Sequence, residues 1–328
     1  MPHIFKHIAY LLVLFVTLSC SRPTHFRSAE GAVWNTTYHI TYQSETELDD
    51  SIRSVMKQVE MSLSPFNANS LISRINKGEE AVADTLLRRI FFASQEVNRN
   101  SLGAFDPTVA PLINLWGFGY KKTGIEPTQA TIDSIKALVG ISECALLPSG
   151  EIRKKNQATE FNFSAITKGY GCDLIGEMFK RNGCENFMVE IGGEIALNGT
   201  NPRNKNWRIM IDAPIDNDTA VVHERMAVIE PGNGGVATSG NYRNYRQTAE
   251  GKVWHTISPT TGRPAQTDLL SATVIAPNAM LADAYATSCM AMTCGEAMDM
   301  LSKINGVEAL LVTADTIAAT PGFPPIMR

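Results

Sequence analysis

Apolar residues recur with a helical period between Glu47 and Met61, at Leu48, Ile52, Val55, Met56 and Val59, and again between Thr85 and Asn100, at Leu86, Ile90, Ala93 and Val97. Spacings of three and four put such residues on one face, so both segments predict amphipathic helices with a buried stripe. A third helix is predicted from Thr131, carrying Ile132, Ile135 and Leu138, and a fourth over Thr167–Lys180. Elsewhere the chain turns β-branched and aromatic, predicting strands at Val33-Trp34, Tyr38–Tyr42, Phe187–Ile191, Glu194–Leu197, Trp207–Ile211 and Ala227–Ile229. Gly192-Gly193 separates two of these runs and predicts a hairpin. Helices over Leu281–Met292 and Glu296–Ile304 and a final strand, Ala309–Thr313, complete the pattern. Hairpins interleaved irregularly with helices indicate the α+β class rather than a doubly wound parallel sheet.

The amino terminus follows a different rule. Lys6 precedes an apolar run from Ile8 to Leu18, too short to span a bilayer, which ends in Leu18-Ser19-Cys20. This predicts an export signal over residues 1–19 and lipidation of Cys20, with Thr17 standing where such signals more often carry Leu. Ser21–Ala29 is polar and aperiodic, so residues 20–30 read as the lipidated Cys and a tether, and the globular fold is expected from about Gly31 to residue 328. The expected location is the outer, periplasmic side of the bacterial inner membrane, held by the lipid anchor.

Composition agrees with a packed body, with 44% hydrophobic and 19% charged residues in 328. A net charge of −4, with no local run of Lys and Arg, argues against a nucleic-acid partner. Beyond Cys20 the cysteines are Cys144, Cys172, Cys184, Cys289 and Cys294, with no CxxC pair and no zinc spacing. A phosphate-binding P-loop, GxGxxG, GxSxG and HExxH are all absent from the sequence.

What remains is a set of polar or glycine-rich segments embedded in apolar sequence. In Gly103-Ala104-Phe105-Asp106-Pro107, a small residue beside an aromatic lets the backbone approach a flat heterocycle, with Asp106 as an acceptor for its polar edge; the plainer reading is a helix cap and a buried loop packed by Leu115, Trp116 and Phe118. Near Ser164-Ala165-Ile166-Thr167-Lys168-Gly169, a helix start capped by Ser164 or a neighbour would favour a phosphate, and Lys168 would add a point charge; a solvated lysine is the alternative. Asp283 and Thr287 stand four apart on one helical face, hard oxygen ligands suited to Mg²⁺ or Ca²⁺ or else solvent-facing polar residues. His255 closes a strand before a Pro/Gly turn, where an imidazole can serve as a general base, and Thr238-Ser239 reads as a turn.

In this order, AFDPTVAPLINLWGFG, SAITKGYG, EIGGE, ATSGNYR, H-x-I-x-P-x-T-G-x-P and ADAYAT resemble the ApbE family, the FAD:protein FMN transferases, over essentially the whole mature chain. The resemblance implies FAD bound in a cleft between two packed α+β subdomains, with Mg²⁺ at the pyrophosphate. It implies that Ala104, Phe105, Asp106, Lys168, Gly171, His255 and Ile257 contact FAD. A backbone carbonyl of Ala165 would join Asp283 and Thr287 on the metal. The implied reaction is attack by a Thr or Ser hydroxyl of an acceptor flavoprotein on the FMN-side phosphorus, with AMP leaving and His255 or Asp283 taking the proton. Trp34 stands where many members carry Met, and Phe66 where Tyr is usual; both keep a surface for the flavin. Asn162 and Ser258 each replace a frequent Asp. Glu190 and Glu194 flank a glycine turn that either lines the cleft or, as the plainer assignment, is a structural hairpin. Competing readings are a hydrolase that splits FAD to FMN and AMP, and an exported FAD-binding lipoprotein without catalysis.

Overall fold

A computed structural model describes residues 25–79, 81–214, 224–240, 245–248 and 251–327. The expected signal and Cys20 lie outside the described residues, as do Asn241, Tyr242 and Arg243. The chain runs through β1 (Phe26–Val33), β2 (Thr36–Gln43), α1 (Asp49–Leu63), α2 (Leu71–Asn76), α3 (Thr85–Asn100), α4 (Ala110–Leu115), α5 (Gln129–Lys136), β3 (Ala145–Leu146) and β4 (Ile152–Arg153). It continues with α6 (Ser164–Arg181), β5 (Phe187–Ile191), β6 (Glu194–Asn198), β7 (Ile209–Asp212), β8 (Arg225–Ile229), β9 (Gly234–Gly240), β10 (Tyr245–Thr248), β11 (Gly251–Trp254), β12 (Leu269–Ala276), α7 (Ala279–Met290), α8 (Cys294–Leu301), β13 (Glu308–Thr313) and β14 (Ile317–Ala319).

Eight strands form one sheet in the order β1-β2-β5-β6-β9-β12-β13-β14, and every neighbouring pair is antiparallel. Alternation along the central strands serves two cores. Ala237, Ala272, Val274, Ala309 and Leu311 face α3 and α7, whereas Ile195, Leu197, Val236 and Leu310 face the β7–β8 ribbon and Trp207. A further core under β1, β2 and β5 is closed by α1 and α6. The α+β class is therefore observed, with α6 and α7 side by side on one face of the sheet.

Several expectations change in detail. Trp34 is not in a strand: Trp34 and Asn35 form the two-residue turn between β1 and β2, with φ of 49° and 62° and Val33 paired to Thr36. Positive φ at both central residues matches the twist of a tight hairpin, at a steric cost for a bulky indole. The expected tether overlaps β1, since Phe26–Glu30 pairs with β2; an edge strand tolerates the polar residues that made the segment look unstructured. Thr238 and Ser239 lie within β9, paired to Thr273 and Ala272, instead of forming a turn. The last strand is β14, beyond Thr313. The Gly192-Gly193 hairpin is found as expected, with Ile191 opposite Glu194.

Candidate functional site

The site is organised by the junction of α6 and α7. α7 begins at Asn278, whose side chain accepts the Leu281 N–H, and almost its whole circumference is buried. Such a helix has no solvent face, so Asp283 is 2% exposed and the solvent-facing alternative for it is excluded. α6 reaches α7 at Gly169. A Cβ there would overlap the Ala279 carbonyl oxygen and stand 2.9 Å from the Asp283 Cβ, so only glycine permits this approach. The Gly169 N–H points at Asp283 Oδ2, 3.1 Å away. In an ideal helix that N–H belongs to the carbonyl of Ala165, four residues earlier, which is the carbonyl expected as a metal ligand. One turn further along α6, the Asp173 carboxylate accepts the N–H groups of Ala279 and Met280 at 2.9 and 2.8 Å, tying the start of α7 to α6. Burial pushes the Asp173 pKa up to about 7, against the pull of those two N–H groups.

The N-cap position of α6 is Phe163, which has no side-chain cap; Asn162 Oδ1 instead accepts both the backbone N–H and the hydroxyl of Ser164, the first helical residue. Because α6 starts at Ser164, Lys168 sits in its second turn. It is not a solvated lysine. Its Nζ lies 2.7 Å from Glu194 Oε1 and 3.8 Å from Asp283 Oδ1. Burial disfavours the Lys168 charge, but the two carboxylates outweigh it and raise its pKa. Burial likewise raises Asp283 and Glu194. Glu194 is 4% exposed, and its buried Oε2 has no hydrogen-bond partner among the described residues.

This junction opens into a cleft of about 710 Å³, continuous at Phe66, Ser164 and Lys168 with a second chamber of about 650 Å³. Ala104, Phe105, Asp106, Ala165, Lys168, His255, Ile257, Asp283 and Thr287 line the larger chamber, together with Glu194, Thr238 and Ser239. Trp34 lines the smaller one, and Phe66 borders both. Among the described residues, none pairs with the buried Trp34 Nε1 donor. His255 follows β11 and leads into a hooked turn in which Ile257 bridges Pro264 and the Gly262 carbonyl accepts from Trp116 Nε1. Ile257 also packs with Leu112, Leu115 and Ile132, so the expected buried loop of Leu115, Trp116 and Phe118 is the footing of this wall.

The ApbE family profile matches residues 34–311, spanning the Trp34 turn, the α6–α7 junction and both chambers. The chain belongs to the ApbE family. It is 33% identical over 313 residues to the FAD:protein FMN transferase of Vibrio cholerae serotype O1, covering 92% of each chain. To that of Haemophilus influenzae it is 32% identical over 330 residues, covering 94% of each. Its fold superposes on the solved flavin transferase ApbE from Vibrio cholerae with a TM-score of 0.80 and 31% identity, over 93% of this chain and all of that one.

Against the ApbE pattern, one residue is placed away from the cleft wall, and one lines it with its carboxylate engaged by neighbours. Gly171 is not on the cleft wall; it is buried beneath Trp34, where a Cβ would stand 2.6 Å from the indole, so it lets that ring lie against α6. Asp106 lines the cleft, but its carboxylate is occupied. Oδ1 accepts the N–H and hydroxyl of Thr108 at 2.8 and 2.6 Å, and Oδ2 accepts the Ile141 N–H and Asn98 Nδ2 at 3.0 and 3.3 Å. Little acceptor capacity is left for a ligand edge; what Asp106 supplies is a rigid loop. Glu194 lines the cleft, which is the alternative to a purely structural hairpin. The run Glu190–Glu194 marks a hairpin in either case, and only the packing of α6 on that hairpin makes Glu194 a buried acid facing Lys168.

The donor set suits a hard divalent cation. Among the described residues no cluster of three or more His, Cys, Asp or Glu side chains could hold a metal; a centre built from a carboxylate, a hydroxyl and a main-chain carbonyl would suit Mg²⁺ better than zinc. Two buried acids face a single ammonium, and burial raises the pKa of both. Asp283, Thr287 and Ala165 fit the expected ion.

Proposed function

We propose that this chain transfers FMN from FAD to a Thr or Ser hydroxyl of an acceptor flavoprotein, with Mg²⁺ held by Asp283, Thr287 and the Ala165 carbonyl and AMP as the second product. The reading is carried by the placement of these three groups on two helices locked at Gly169, in the wall of a cleft that also receives Phe66, Lys168 and His255. It is supported by the relatives that bear the name FAD:protein FMN transferase. When bound, Mg²⁺ would neutralise charge on the pyrophosphate oxygens as the bridging P–O bond breaks.

The protein's own groups do the rest. Lys168 offers the pyrophosphate a fixed positive charge beside the amino terminus of α6, whose first N–H groups favour anions. Phe66 and Trp34 provide aromatic surface, and the unpaired Trp34 N–H is a donor for a polar edge. In the transfer, the acceptor oxygen bonds to the FMN phosphorus, the P–O bond to AMP breaks, and the hydroxyl proton passes to a base. His255 suits that part better than Asp283, because a metal-bound carboxylate is a weak base. No nucleophile of the enzyme's own is required; positioning and electrostatics suffice.

The same reading places the chain outside the cytoplasm as a lipoprotein anchored through Cys20, supported by the charged and apolar stretches that precede it. Among the described residues no helix is long and apolar enough to cross a membrane. Incubation of the protein with FAD, Mg²⁺ and a peptide carrying an acceptor threonine separates the outcomes. Covalent fluorescent flavin that is lost in Asp283→Ala is expected. Free FMN plus AMP in place of labelled peptide would establish a hydrolase, and unchanged FAD would reject catalysis.

A further inference from the structure

Lys168 is caught between two buried acids, but unequally. It is 2.7 Å from Glu194 and 3.8 Å from Asp283, and the Asp283 oxygen on that side faces the ammonium, while the other accepts the Gly169 N–H. A lysine free to choose would close on Asp283, because a buried carboxylate with an open oxygen attracts the nearest cation. Closure would occupy the oxygen that a divalent ion needs. Glu194 prevents it from β6, immediately after a glycine turn that is itself fixed: Glu190 Oε1 accepts the Gly193 N–H, and Glu190 Oε2 pairs with His39 Nδ1 at 2.8 Å.

We infer that Glu194 is a positioning residue that keeps Lys168 off Asp283, leaving the aspartate open to the metal and the ammonium turned to the substrate. This inference rests on the metal reading of Asp283 given above. Neither Glu194 nor its clamp contacts the metal in this scheme; they act through the lysine. Groups that orient a metal ligand from outside its shell alter affinity by roughly 10 to 100-fold when changed, and that is the size of effect expected.

The test is Mn²⁺ binding to the full chain without FAD, read from the electron paramagnetic resonance signal of free Mn²⁺, alongside circular dichroism to confirm folding. Glu194→Gln, which keeps shape but releases Lys168, is expected to weaken Mn²⁺ about 10-fold or more. The double variant Glu194→Gln/Lys168→Met removes the competing cation and is expected to bind Mn²⁺ nearly as the wild type does. Glu194→Asp keeps the charge but shortens the reach by a methylene, so a smaller loss of about 3-fold is expected; it also carries the test should Glu194→Gln fail to fold. Wild-type affinity in Glu194→Gln or in Glu194→Asp overturns the inference, the latter because charge alone would then suffice, and so does a loss that the double variant fails to recover. Failure of the wild type to bind Mn²⁺, or undiminished binding in Asp283→Ala, is a different result that overturns the metal reading along with the inference.

Discussion

Two aspartates line the same cleft and are both buried, yet they are built for opposite purposes. Asp106 is surrounded by donors from its own neighbourhood: two from Thr108, one from Ile141 and one from Asn98 fill its carboxylate. Asp283 receives one backbone N–H and stands 3.8 Å from an ammonium that belongs to another acid. Burial raises both pKa values; hydrogen bonds from Thr108 and Ile141 pull the other way at Asp106, and the Lys168 ammonium and a single backbone N–H do so at Asp283. A satisfied buried acid is scaffold. An under-satisfied one, held in place by packing on all sides, is an anion with acceptor capacity left for a cation.

The sharpest way to break that comparison is to make the same substitution at both positions. Asp283→Asn is expected to lower flavin transfer by about 10³-fold or more through loss of the metal, while the thermal midpoint of the metal-free protein stays level or rises, because an under-compensated buried charge has gone. Asp106→Asn is expected to do the reverse, keeping Mn²⁺ binding but losing about 2 kcal/mol of stability as hydrogen bonds to a charged acceptor are lost. Equal loss of stability in the two variants would mean that both acids are scaffold.

Between these effects in size lies Gly169→Ala, which tests the helix junction that holds Asp283. The added methyl meets the Ala279 carbonyl oxygen and the Asp283 Cβ, both on a fully packed helix with nowhere to retreat. Overpacking of this kind costs about 3 kcal/mol, and the shift between α6 and α7 should weaken Mn²⁺ binding as well. Gly183→Ala, at a helix end where no atom lies within 4 Å of the added carbon but φ is 75°, is the control for a backbone cost alone.

The same junction has a pH signature. Asp173 holds the start of α7, with its pKa pushed up to about 7 by burial from an ordinary 3.8. Between those values the folded chain holds a proton the unfolded chain has released, so its contribution to stability is present at low pH and declines as pH rises toward 7, levelling above it. Denaturant midpoints at pH 5, 6, 7 and 8 should show this decline, no more than about 2 kcal/mol between pH 5 and 7, and Asp173→Asn should flatten it. An unchanged slope in that variant would assign the pH dependence elsewhere.

The sequence is legible where signals are local. α3 and the β5–β6 hairpin come out as predicted because apolar spacing and a Gly-Gly turn lie within a few residues of what they determine. The cleft residues Asp283, Thr287, Lys168 and His255 were recognisable from the motifs that contain them. Three features were hidden because each depends on a distant partner. Trp34 looks like strand, and its place in a turn over Gly171 follows from α6 lying beneath it. Phe26–Glu30 looks unstructured until β2 pairs with it. Glu194 looks like an ordinary hairpin acid until α6 brings Lys168 to it across the fold. Asp106 is legible as a cleft residue, but its motif does not show the hydrogen bonds from Asn98 and Ile141 that engage its carboxylate.

The smallest expected effect belongs to the cleft's exposed aromatic, and it tests whether the comparison extends beyond charged groups. Phe66 is 62% exposed at the boundary of the two chambers, with Tyr120 edge-on at 5.7 Å and little else holding it. A large apolar ring left in water contributes little to folding, so Phe66→Ala should leave the thermal midpoint within about a degree of the wild type. If the ring is there to stack on a flavin, its loss removes about 1 kcal/mol of binding, raising the KM for FAD about 5-fold with kcat nearly constant. Phe66→Tyr should restore the KM. A fall in stability with no change in KM would place Phe66 with Asp106, as a part of the wall and not of the site.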